Sequence, residues 1–187
     1  GAWKDVTPLS GLSGDTYRQW QTTKLGAILI ATNGVDKPIY WPLSDTKLAS
    51  MDKRFETLPH WPDEWLNCQT IAGFKSFAVA GSLLRSDGVR MNRTILWSHM
   101  TNQYTPPGSW DVLDPDKDAG DYELLETEGP AVHIDVLKES AMIYKTDSVY
   151  NMSFVGSPYM FSFKVMNPDI GIMCKNACTD FPGGHFF

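Results

Sequence analysis

Residues 76–100 read SFAVAGSLLRSDGVRMNRTILWSHM, two apolar runs joined by Asp87-Gly88. Asp-Gly between such runs is a strong hairpin signal, because both residues accept the positive φ of a type I′ turn. A two-residue turn sets the register: Leu84 faces Met91, Ala80 faces Ile95 and Ala78 faces Trp97. The other face then carries Phe77, Val79, Leu83 and Leu96. A ribbon that is apolar on both faces needs cover on both, so this hairpin belongs inside a β structure.

The same punctuation recurs outward from it. Residues 26–32 (GAILIAT) and 35–43 (VDKPIYWPL) flank Asn33-Gly34, a second type I′ signal. Pro38 lacks an N–H, which puts its strand at an edge or makes it bulge. Downstream, AVHIDVL (131–137), SAMIYKT (140–146), VYNMSFV (149–155), YMFSFKVM (159–166) and IGIMC (170–174) follow one another across short polar, Gly or Pro junctions. Only residues 44–58 (SDTKLASMDKRFETL) suggest a helix, with Leu48, Met51 and Phe55 about one turn apart. The expectation is an all-β chain, an antiparallel sandwich or barrel with long loops and at most one short helix. Residues 1–187 are read as a single domain.

Composition narrows the function classes. A content of 42% hydrophobic and 20% charged residues is that of a globular protein rather than a disordered one. No apolar run approaches the ~20 residues of a membrane helix, so membrane insertion is not expected. The net charge of −6 and the scattered Lys and Arg argue against nucleic acid as a partner. The chain opens Gly1-Ala2 and ends GGHFF, which suggests a piece cut from a larger polypeptide. Cys68, Cys174 and Cys178 are too few for a disulfide scaffold; Cys174 and Cys178 could bridge, or all three could be reduced. Two sequons, at Asn92 and Asn151, leave the compartment open.

Catalytic signatures are scarce. There is no G-x-S-x-G elbow and no Gly-rich phosphate loop. Ser98 and His99 are neighbours on a predicted strand, so their side chains point to opposite faces. A Cys68 nucleophile would need His60, His99 or His133 beside it. Cys174-x-x-x-Cys178 with His185 offers three zinc donors, without the second close pair of a structural site. Calcium has a better pattern: Asp114, Asp116 and Asp118 alternate so that a turning backbone could aim their oxygens at a hard cation. Against it, Ala119 stands where an EF-hand loop has Gly, and Leu125 where it has Glu. These aspartates lie in residues 111–128, which hold eight carboxylates and one lysine.

Seven tryptophans are the other distinctive feature. Trp97, inside the strongest hairpin, reads as core. Residues 60–65 (HWPDEW) break any strand or helix period, and here two readings compete. The tryptophans fold inward to close a corner of the core, which ranks first. Otherwise His60, Trp61, Asp63 and Trp65, with Tyr104 and Trp110 of the TNQYTPPGSWD loop (101–111), form an exposed surface on which a sugar or protein stacks.

In its Asn33-Gly34 and Asp87-Gly88 hairpins, its TPPGSW loop and its late meander, the chain resembles the protruding or spike domains of non-enveloped RNA-virus capsid proteins, of the astrovirus spike type. The likeness is one of pattern, not of motif. It implies a dimeric domain on the virion surface that attaches to a host receptor, glycan or protein, and is bound by antibodies. It implies no catalysis and no obligatory cofactor. The alternatives are a glycan-acting hydrolase or esterase, and a carbohydrate-binding module of a secreted enzyme, calcium-supported through Asp114, Asp116 and Asp118.

Overall fold

The ribbon of residues 76–100 lies in the middle of a four-stranded antiparallel sheet whose two faces are both covered. The computed structural model describes residues 3–14, 19–43 and 53–187. Within them the chain is all-β: four antiparallel sheets, each a meander in which every strand pairs with the next in sequence. The first sheet joins β1 (Gln21–Leu25), β2 (Ile28–Thr32), β3 (Ile39–Tyr40) and β4 (Glu56–Thr57). The central sheet holds β5 (Trp65–Phe74), β6 (Phe77–Arg85), β7 (Arg90–Trp97) and β8 (Gly120–Glu123). The third holds β9 (Ala131–Leu137), β10 (Ser140–Lys145), β11 (Val149–Gly156) and β12 (Met160–Asn167). A small hairpin, β13 (Thr179–Phe181) and β14 (Gly184–Phe186), closes the chain.

Burial on both sides of the central sheet yields two cores. Leu25, Ile28 and Ile30 of the first sheet pack on Ile71, Ala78, Ala80 and Leu96. On the opposite face Phe74, Phe77, Val79, Ile95 and Trp97 meet Ile134, Ile143, Met152 and Phe161 of the third sheet. Phe161 is the hub, with Phe77 at 5.1 Å and Trp97 at 5.3 Å in edge-to-face contact, an arrangement that aromatic quadrupoles favour. Polar ties cross the layers. Gln21 Nε2 donates to the Ile134 carbonyl at 3.1 Å, and Ile134 N–H donates to Thr70 Oγ1 at 2.9 Å.

The β6–β7 register differs from the expected one. Gly88 N–H donates to the Arg85 carbonyl at 2.9 Å, and Arg85 N–H to the Val89 carbonyl at 2.8 Å. That is a three-residue loop whose last residue, Gly88, is left-handed at φ 86°, a type I turn with a G1 bulge rather than a type I′ turn. The extra residue sets Leu84 against Arg90 and Leu83 against Met91, and beyond Ser82 the pairing shifts by two residues the other way, so Val79 faces Trp97 and Ala80 faces Leu96. A one-residue slip exchanges faces, which is why Ile95 and Trp97 join Phe77 and Val79. A second irregularity sets Ser82 alone, at φ 54°, between the Gly81–Ile95 and Leu83–Met91 pairs. It turns Leu83 onto the same face as Ala80.

Four further expectations are corrected. The tight hairpin near the start is Leu25–Ile28, closed by Gly26-Ala27 with Gly26 at φ 59°. Asn33-Gly34 instead begins a wider loop: Asn33 Oδ1 accepts from the N–H groups of Val35 and Asp36, at 3.0 and 2.9 Å. β3 is flanked by β2 and β4, so it is not an edge strand, and Pro38 sits just before it. Residues 170–174 are not a strand; they run beside β10, with Ile172 N–H on the Lys145 carbonyl at 2.9 Å. Of the helix expected over residues 44–58, residues 44–52 lie outside the described residues, and the remainder is extended and includes β4.

Candidate functional site

Residues 60–65 form a corner of the first core. Trp61, Trp65 and Trp110 are only 5%, 8% and 2% exposed, so these three indoles offer no open face for stacking. Trp61 Nε1 donates to the Trp65 carbonyl at 2.7 Å, and its ring meets Trp110 edge-on at 5.0 Å. His60 makes the bend at φ 57° and stays outside. Asp63 is exposed and pairs with Lys37 at 2.9 Å. The structure does bring this corner and the 108–113 loop around one cleft of about 750 Å³, but its exposed chemistry is mostly acidic, with Asp63, Glu64, Asp111 and Asp121 against Arg85. Tyr104, 62% exposed, lies apart from that cleft.

The acidic loop does not gather its oxygens. Asp114 Oδ1 accepts from the Asp116 N–H at 3.0 Å, a local turn. The Asp118 carboxylate lies 3.1 Å from His99 Nδ1, and the same nitrogen accepts the Asp118 N–H at 3.0 Å. Asp114, Asp116 and Asp118 are not among the described groups whose donor atoms converge. His99 and Ser98 do not act on one another through side chains: buried Ser98 accepts the Ala78 N–H and donates to the His99 carbonyl. Cys68 is fully buried and its thiol is pushed up to about 12 by that burial, far from a thiolate nucleophile. All three cysteines are free thiols.

A second cleft, of about 640 Å³, opens where the β6–β7 irregularity approaches residues 130–132 and 173–175. Its wall carries the side-chain amides of Gln19, Gln69 and Asn92 and the cations Arg90 and Lys175. Arg90 is held by the Ser82 carbonyl at 2.9 Å and Asn67 Oδ1 at 3.0 Å. Among the described residues, the side-chain amides of Gln69 and Asn92 have no hydrogen-bond partner. Each amide offers two donors and an acceptor, so this wall can serve a ligand rich in hydroxyls. Asn92 lies where the β6–β7 ladder breaks opposite Ser82, a break that strand alternation does not foretell, which is why sequence reasoning passed over this cleft.

A third constellation lies where the terminal hairpin packs on the outer face of β9 and β10. The donor atoms of His133, Asp135 and Cys178 lie within 4.8 Å of one another, as do those of Asp135, Asp180 and His185. His133 Nε2 is 3.7 Å from Asp135 Oδ2, and His185 Nε2 is 3.4 Å from Asp180 Oδ1. Tyr144, itself buried, holds His185 Nδ1 at 2.6 Å through its hydroxyl. The Asp135 carboxylate beside Asp180 raises the latter. Burial works to raise Asp135, but the His133 and Val136 N–H hydrogen bonds keep it low. Period two was the available signal: His133 and Asp135 are two residues apart on one face of β9, and Cys178 and Asp180 are spaced alike where the chain enters β13.

No protein-family model matches the chain, and no curated protein matches it.

Proposed function

We propose that the chain is a surface recognition domain of the capsid-spike type, and that its ligand is a glycan held in the amide-lined cleft. The observation that carries this reading is the pair of unpartnered amides, Gln69 and Asn92, beside Arg90 and Lys175 on the wall of a cleft of about 640 Å³. Sugar hydroxyls need groups that both donate and accept, which amides are. The two cations suit a glycan carrying a carboxylate or sulfate, since charge-assisted hydrogen bonds are the stronger ones. Virion-surface attachment to a host cell, and recognition by antibodies, are carried by the spike resemblance.

Self-association belongs to the same reading. Phe154, Val155, Tyr159 and Met166 leave large apolar surface exposed on β11, β12 and their connection, a feature of surfaces that meet a partner. The test of the ligand claim is a broad glycan array probed with multimerised domain. Selective binding to acidic glycans, lost in Gln69→Ala and Asn92→Ala, is the expected result. A blank array with folded protein would contradict it.

A further inference from the structure

We infer that His133, Asp135, Cys178, Asp180 and His185 form a site for a divalent transition metal of the zinc class, which fastens the terminal hairpin to the third sheet. The inference is independent of the glycan reading and shares no residue with the amide-lined cleft.

Three observations carry it. The first is the donor set. Two imidazoles, one thiol and two carboxylates come from two stretches of chain far apart in sequence, β9 and residues 178–185. Mixed nitrogen, sulfur and oxygen donors are what zinc and its first-row neighbours take, whereas calcium and magnesium take oxygen alone. Ligands about 2.0–2.3 Å from a zinc ion lie roughly 3–4 Å from each other. The two trios, each converging within 4.8 Å and sharing Asp135, need only small side-chain movements to reach that spacing.

The second is that the cluster is electrostatically incomplete without a cation. Asp135 and Asp180 bring carboxylate oxygens within 4.8 Å of one another, and like charges that close repel. A divalent cation between them would relieve that repulsion. His133 is also left with its Nδ1 buried and without a hydrogen-bond partner, although buried polar atoms are nearly always satisfied.

The third is the outer support. Ligating histidines characteristically engage their second nitrogen with a neighbour that fixes the ring. The His185 side chain is 3% exposed, its Nε2 faces Asp180, and its Nδ1 is engaged by Tyr144. Cys178 packs against the small cluster that holds Tyr144, so the sulfur donor and the His185 ring lie on the same support. Phe187 closes over the tyrosine ring at 4.9 Å. Cys174 takes no part, which sets this site apart from a Cys174–Cys178 pair.

The experiment is titration of metal-free, reduced protein with Co²⁺ and then Zn²⁺. The expected result is a thiolate-to-cobalt charge-transfer absorption with visible ligand-field bands, displaced by zinc. Cys178→Ser should abolish the charge-transfer absorption, and Cys174→Ser should leave it intact. Tyr144→Phe should weaken affinity about 10–100-fold while preserving the spectrum's form. Zinc should also slow amide exchange in residues 178–187 of the wild type, a readout that needs no variant to fold. The inference is overturned if wild-type protein gives no such spectrum, if Cys178→Ser retains it, or if zinc leaves exchange in the terminal hairpin unchanged.

Discussion

Tryptophan shows how one residue type takes different parts according to its neighbours. Trp97 packs against Phe161, lays its ring on Gly120, and donates its Nε1 to the Asp118 carbonyl at 2.8 Å. Trp61 does the equivalent in the first core with Trp110 and the Trp65 carbonyl. Replacing either by Ala opens a large cavity, and the expected loss is about 3–5 kcal/mol in urea denaturation. A Trp61→Ala variant that unfolds like the wild type but loses ligand would restore the exposed-aromatic reading. Asp147 gives a pH-dependent test. Burial pushes its carboxyl up, but the Gly129 N–H at 2.6 Å and the Ser148 hydroxyl at 2.8 Å more than offset this, and its pKa is lowered from 3.8. Its stabilisation is therefore complete above the unfolded value and is lost as pH falls through the lower folded one. Asp147→Asn should cost roughly 1–3 kcal/mol at neutral pH, since hydrogen bonds to charged groups are worth about that. The gap to wild type should close in unfolding curves taken below pH 3.8.

At the scale of elements, two glycines with different duties separate local from tertiary constraint. Gly88 has open space where a Cβ would go, so Gly88→Ala meets only the cost of its left-handed φ of 86°, about 1 kcal/mol. Gly73 has no such strain, but a Cβ there would collide with the Lys24 carbonyl oxygen of β1. The first and central sheets touch backbone to backbone at that point, and Gly73 N–H donates to Thr23 Oγ1 at 2.8 Å. Gly73→Ala should therefore destabilise more than Gly88→Ala, by more than about 1–3 kcal/mol because backbone must move. Equal midpoints in denaturant would contradict this packing. The strands of residues 131–167 were legible because alternation and turn residues are local properties. The β6–β7 faces were not, because a type I′ turn and a G1-bulged turn share the dipeptide Asp-Gly while differing by one residue in register.

For the whole molecule, the central sheet's double burial was readable from a ribbon apolar on both faces, and the all-β class from strand spacing. The clefts were not, since each is lined from distant stretches: the amide-lined cleft takes Gln19, Gln69, Asn92 and Lys175. The aromatic loop drew attention in the sequence because Trp favours binding surfaces, yet its tryptophans are 8% exposed or less and serve the core. The central claim is that a glycan occupies the amide-lined cleft. Its most direct test is equilibrium binding of the best array ligand to wild type, to a Gln69→Ala/Asn92→Ala variant and to an Asp63→Ala variant of the other cleft, all checked for folding. The account predicts that the double variant loses binding at least tenfold while Asp63→Ala binds as wild type does. Unchanged affinity in the double variant, or loss in Asp63→Ala alone, would contradict it.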